Sequence, residues 1–164
     1  MVAKVKEPVV RAFEPSPGFR RMTRIGNLFV RPLLRSRFGA RLHDLALLGF
    51  TGRRTGRRYD VPVGYRELNG DGLILTTSAW RENLRGGADV DVTHDGERRA
   101  MRAELIEDPN DVARIYSALI EQIGLDQVKR TTIGLQVLVD RVPTIEEIRE
   151  AVGGRRAIVR LTPR

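Results

Sequence analysis

Cysteine is absent from this 164-residue chain, which excludes disulfides and thiolate metal sites. Histidine occurs only at His43 and His94, too far apart in sequence to form a local ligand motif, so no metal is expected. Aromatic residues make up 5 %, and none is interleaved with the densest basic stretch, which argues against the stacking platforms that nucleic acid requires. The apolar runs fall far short of the roughly 20 residues that span a bilayer. The first residues, Met1-Val-Ala-Lys-Val-Lys-Glu7, lack the hydrophobic region of a signal peptide, and a cytoplasmic protein is expected. Acidic side chains are scarce at one end. Residues 1–58 hold 14 Lys and Arg against 3 Asp and Glu, a net +11, whereas the remainder holds 15 against 18, a net −3. Such asymmetry points to an anionic partner: nucleic acid, a membrane surface or a polyanionic cofactor.

What is present suits one domain that buries about 70 % of its unfolded surface. Residues 1–19 carry three prolines and little periodicity and read as an extended basic arm. From Arg20 to Phe38, Met22, Ile25, Phe29 and Leu33 fall at helical spacing among six arginines, with Pro32 as a kink. This basic amphipathic helix either packs on its own domain or touches the inner face of an anionic membrane peripherally. Strands are expected at about 44–50, 59–68, 73–78, 88–94, 97–106 and 156–161, with Leu135 to Val139 as one more candidate. Asn69-Gly-Asp-Gly72 and Asp95-Gly96 are hairpin turns, so neighbouring strands run antiparallel. Asp108-Pro109 opens a helix with the stripe Val112, Ile115, Leu119, Ile120 and Ile123, ended by Gly124. Thr144-Ile-Glu-Glu147 is a capping box that opens another helix through Val152. The order predicts an α+β fold: a small barrel of about six antiparallel strands with flanking helices, in one domain over 20–164.

The most informative segment is Thr51-Gly-Arg-Arg-Thr-Gly-Arg-Arg58, a tetrad repeated between the apolar run Leu45–Phe50 and the strand-like Tyr59–Tyr65. Two glycines free the backbone to turn its N–H groups toward an anion, and four guanidiniums offer planar forks for phosphate or carboxylate oxygens. Four arginines within six residues repel one another unless an anion lies among them.

Leu47 to Tyr65, the hairpin that follows, and Thr77-Ser-Ala-Trp-Arg-Glu-Asn-Leu84 resemble the deazaflavin-dependent nitroreductases and quinone reductases, a family of split-barrel flavin/deazaflavin oxidoreductases. Gly52-Arg-Arg-Thr-Gly56, Pro62 and Trp80-Arg-Glu-Asn-Leu84 match its loop, its proline-bearing strand and its Trp-x-x-Asn-Leu helix. The likeness covers residues 44–106, with Ile158 to Pro163 similar to the closing strand, and 125–152 stand as an insertion. The resemblance implies a split barrel of the FMN-binding, pyridoxamine-phosphate-oxidase-like kind and a homodimer. It also implies coenzyme F-420, a deazaflavin with a phosphate and an oligoglutamate tail, FMN being the alternative. Arg53, Arg54, Thr55 and Gly56 would hold the phosphate and tail. Pro62 and Val63 would line the ring, Thr77 and Ser78 would meet its polar edge, and Trp80 with Asn83 would close the pocket. The implied chemistry is hydride transfer to a quinone, nitroaromatic or other conjugated acceptor polarised by Ser78 or a backbone donor, with no protein nucleophile. A binder of FMN or of a fatty acid in the same cavity is the other reading.

Overall fold

The computed structural model describes residues 9–12, 32, 43–130 and 133–164. Apart from residue 32, the basic helix expected over 20–38 lies outside the described residues, and so does most of the expected arm. In chain order the elements are β1 (Val10–Ala12), β2 (Leu45–Thr51), β3 (Arg58–Gly64), β4 (Arg66–Leu68), β5 (Asp71–Thr76), a 3-10 helix (Ala79–Leu84), β6 (Ala88–His94), β7 (Glu97–Ile106), α1 (Pro109–Ile123), α2 (Leu125–Arg130), β8 (Leu135–Val137), α3 (Ile145–Val152) and β9 (Ala157–Pro163). They form two compact units. One comprises the described residues up to Ile106 from 43 onward together with 157–164, the other 9–12 with the described part of 107–156.

The first unit is a seven-stranded antiparallel sheet in the order β3-β2-β6-β7-β9-β5-β4. Its two edge strands are one run of chain. β3 pairs with β2 in the register Ala46↔Val63, whereas β4, beginning two residues after β3 ends, pairs with β5 in the register Glu67↔Gly72. The sheet therefore curls until its edges meet, the split barrel that the sequence predicted. The expected single strand over 59–68 is divided because it must change partners at Tyr65, whose N–H donates to the Asp44 carbonyl at 2.9 Å. That division makes seven strands where about six were expected.

The turns follow local chemistry. Asn69-Gly70 and Asp95-Gly96 have positive φ at both central positions, the primed geometry that matches strand twist. The core lies on one face of the sheet, where Ala46, Leu48 and Phe50 of β2 meet Val63, Ile74, Val90, Val92, Ala103, Val159 and Leu161. The opposite face carries a ladder of ion pairs, among them Asp89 with Arg102, Asp91 with Arg98 and Arg160 with Glu104. Much of the arginine in β3, β7 and β9 is thus balanced on the sheet itself.

In the second unit, Asp108 caps α1 by accepting from the N–H groups of Asn110 and Asp111, and the stripe from Val112 to Ile120 is buried. Tyr116 is fully buried and donates to the Ile133 carbonyl at 3.2 Å. The capping box of α3 forms as predicted: Thr144 Oγ1 accepts from the Glu147 N–H and the Glu147 carboxylate accepts from the Thr144 N–H. Leu135–Val137 is a strand whose partner is β1, with Val10 opposite Val137.

Candidate functional site

The repeated tetrad forms a single tight turn between β2 and β3. Gly56 N–H donates to the Gly52 carbonyl and Gly52 N–H to the Arg57 carbonyl, both at 2.8 Å, and Gly56 takes a φ of +63° that a side chain would resist. Gly52 is buried, and a Cβ there would lie 2.6 Å from both Thr55 Oγ1 and the Tyr59 ring. The second residue of the repeat is therefore glycine because the turn closes onto its own Thr and Tyr.

The four arginines divide by role. Arg58 reaches across β2 to ion-pair with Asp91, which Arg98 also holds at 2.8 Å; with Arg98 as the leading cause, the Asp91 carboxyl is kept below its ordinary range. Arg53 donates its N–H to Asn83 Oδ1 at 3.0 Å and its guanidinium to the Arg85 carbonyl at 2.9 Å. Arg54 and Arg57 are exposed and have no side-chain partner among the described residues. Of the four, only Arg58 has its charge matched by a carboxylate among the described residues; Arg53 keeps its charge, and the Arg54 and Arg57 side chains are without partners there.

Both ends of the Asn83 amide are engaged, since its Nδ2 donates to the Trp80 carbonyl at 2.8 Å while its oxygen accepts from Arg53. It therefore joins the turn to the 3-10 helix. Trp80 stacks on Phe50 at 5.9 Å, and Phe50 on Tyr59 at 5.7 Å, so three aromatic rings run from the helix to the turn. Arg53, Thr55, Gly56, Trp80 and Asn83 are thereby gathered on one side of the unit. Ser78 and Thr77 are exposed on the connection that leads into the same helix. Ser78 N–H donates to Thr76 Oγ1 at 3.0 Å, and its hydroxyl makes no capping bond. Pro62 and Val63 are adjacent on β3 and so face opposite sides of the sheet. Val63 belongs to the core, and Pro62 faces away from it in register with Leu47.

Two features were not read from the sequence. Tyr59, 40 % exposed, bonds Thr55 Oγ1 through its hydroxyl at 3.1 Å; its only signal was an aromatic directly after the repeat. The two histidines converge on one loop: His43 Nδ1 lies 2.9 Å from Asp95, and His94 Nε2 lies 2.8 Å from the His43 carbonyl. A cavity of about 260 Å³ beside them is lined by Tyr65, Glu67, His94, Asp95, Glu97 and Arg99. Among the described residues no cluster of three or more His, Cys, Asp or Glu is placed to hold a metal ion.

The model of the F-420H(2)-dependent quinone reductase family matches residues 24–141. The chain belongs to that family. It is accordingly an oxidoreductase, and coenzyme F-420 is the cofactor the family uses. No curated protein gives a significant match. Similar solved structures include an F-420-H2-dependent reductase at 15 % identity, covering 73 % of this chain and 94 % of that one with a TM-score of 0.43. A conserved hypothetical protein from Mycobacterium tuberculosis is 17 % identical, covering 99 % and 86 % at 0.46. A pyridoxamine 5′-phosphate oxidase-related, FMN-binding protein from Nostoc punctiforme is 12 % identical, covering 92 % and 83 % at 0.41.

The donor chemistry of the turn fits such a cofactor. Arg54 and Arg57 are uncommitted, the Arg54 and Thr55 amides have no partner among the described residues, and no carboxylate belongs to the turn. A polyanionic tail would find donors there. Among the described residues no helix is long and apolar enough to cross a membrane.

Proposed function

We propose that the chain is an F-420H(2)-dependent reductase of a quinone, nitroaromatic or other conjugated electron acceptor, with the turn Gly52–Arg57 as the anion grip for the cofactor. The observation that carries this reading is that Arg54 and Arg57 have no side-chain partner among the described residues, whereas Arg58 is paired with Asp91. When bound, the reduced deazaflavin supplies the hydride. The protein's task is then to bind and to orient. Arg54, Arg57 and Thr55 take the phosphate and tail; Thr77 and Trp80 bound the ring; Asn83 holds the Trp80 helix on the turn. Ser78, with a free hydroxyl on an exposed connection, donates to the acceptor oxygen that gains negative charge as hydride arrives at carbon. A proton from solvent completes the two-electron reduction of a quinone to its hydroquinone.

Of Pro62 and Val63, only one side chain can meet a ring lying on either face of the sheet. A ring bounded by Trp80, which stacks on Phe50 of the core face, lies on the side that Val63 shares and Pro62 does not, so Val63 is the one assigned to it. The homodimer implied by the family would appear in light scattering at twice the 18.5 kDa of the chain.

The test is titration of the purified protein with coenzyme F-420, followed by quenching of Trp80, the only tryptophan. Micromolar binding that Arg54→Ala weakens about 10- to 100-fold supports the reading, because a charge-assisted bond contributes about 1.5–3 kcal/mol. Equal affinity in the variant overturns it. FMN in the same titration separates the two cofactors, and a panel of quinones and nitroaromatics under reduced coenzyme identifies the acceptor.

A further inference from the structure

We propose that Tyr59 is a positioning residue that makes Thr55 a dedicated hydrogen-bond donor to a phosphate. The inference rests on the turn being the anion grip described above. Thr55 Oγ1 lies 3.3 Å from the N–H of Arg57, which can only donate, and 3.1 Å from the Tyr59 hydroxyl. A hydroxyl has one proton and two lone pairs. Two hydroxyls that share one bond spend one of their two protons on it, so one proton of the Thr55–Tyr59 pair always remains. A phenol is the more acidic partner and donates to the alkyl hydroxyl. Thr55 then accepts from both Arg57 and Tyr59, its lone pairs are filled, and its own proton is left for an external acceptor.

Packing holds this arrangement in place. The Tyr59 ring stacks on Phe50 with an interplanar angle of 23°, and Gly52 lies against its edge so closely that no Cβ would fit. The hydroxyl is therefore delivered to Thr55 by a ring that has little freedom to turn. Together with the Arg54 and Arg57 guanidiniums, the Thr55 proton gives three donor groups on one turn, a number suited to the several oxygens of a phosphate. A ligand without an anionic group has no use for it.

The experiment is the titration of wild type, Tyr59→Phe, Thr55→Ala and the double variant with two probes: coenzyme F-420 and the corresponding deazaflavin riboside that lacks phosphate and tail. Tyr59→Phe keeps the ring, its stack and its contact with Gly52, so folding is preserved, as thermal melting will verify. The expected result is a loss of about 3- to 10-fold for coenzyme F-420, the range for one neutral hydrogen bond. No loss is expected for the riboside, and none beyond that of Thr55→Ala in the double variant. Wild-type affinity in Tyr59→Phe overturns the proposal. So does an equal loss for both probes, which would mean that the hydroxyl acts on the deazaflavin ring and not on the anion, or a loss that adds to that of Thr55→Ala. Arg54→Ala in the same series tells the two readings apart. If it weakens binding while Tyr59→Phe does not, the anion grip stands and the role of Tyr59 falls. If neither matters, both fall.

Discussion

The N–H of Arg53 donates to the side-chain oxygen of Asn83 across thirty positions of sequence, at 3.0 Å. That bond ties the tight turn after β2 to the 3-10 helix, and the second half of the same amide holds Trp80. Asn83→Ala should weaken coenzyme F-420 binding several-fold while lowering unfolding free energy by only about 1 kcal/mol, since the lost bonds are solvent-accessible. Titration beside urea denaturation checks this, and a large stability loss without a binding loss would show that Asn83 supports the barrel only.

The two glycines of the turn should respond differently. Gly52→Ala places a methyl 2.6 Å from Thr55 Oγ1 and the Tyr59 ring, so the turn must open, at about 1–3 kcal/mol and with most cofactor affinity lost. Gly56→Ala meets open space and is opposed only by its positive φ, at about 1 kcal/mol, so binding should largely survive. Denaturation midpoints and affinities of the pair separate steric from conformational cost.

Tyr116 donates to the Ile133 carbonyl and hydrogen-bonds Arg156, and burial raises its phenol above the ordinary value. Tyr116→Phe leaves those partners unsatisfied inside the helical unit and should destabilise it by about 1–3 kcal/mol. Cofactor affinity should be unaltered, because the turn belongs to the other unit. Circular dichroism melts beside the titration measure both.

Acid should act on α3 in a defined window. Arg141, and after it the Thr144 N–H, lower the Glu147 carboxyl from 4.5 to about 2. A group with a depressed folded pKa contributes stability above its unfolded value and loses it as pH falls through the folded one, here from about 4.5 toward 2. Glu147→Gln should therefore flatten the pH dependence of the melting temperature over that interval and leave it unchanged between pH 6 and 8. A wild-type slope retained in the variant would assign the acid sensitivity to other carboxylates.

The parts of this fold that are local in sequence could be read from it. Asn69-Gly70, Asp95-Gly96, the Asp108 cap and the Thr144–Glu147 box each consist of residues at most three apart, and their chemistry alone selects the conformation. The repeated tetrad was legible as a turn for the same reason. Its division of labour was not. That Arg58 belongs to Asp91 and Arg53 to Asn83 depends on strand register and on where the 3-10 helix lands, and neither leaves a trace in spacing. The three-residue β1 was hidden more deeply, because it is too short to show alternation and its partner β8 stands far along the chain. His43 and His94, distant in sequence, meet at Asp95 because β2 and β6 are neighbours.

β9 lies between β7 and β5, and residues 107–156 separate it in sequence from β7. On the ribosome, the four strands β3-β2-β6-β7 and the β4–β5 hairpin can each form early. Both then present an unpaired edge until β9 has been translated. That wait lasts the synthesis of a whole helical unit, on the order of several seconds at 5–20 residues per second. During it the nascent barrel is open to strand addition by neighbours, so heterologous yield should be governed by chaperone supply and growth temperature more than by the stability of the finished protein.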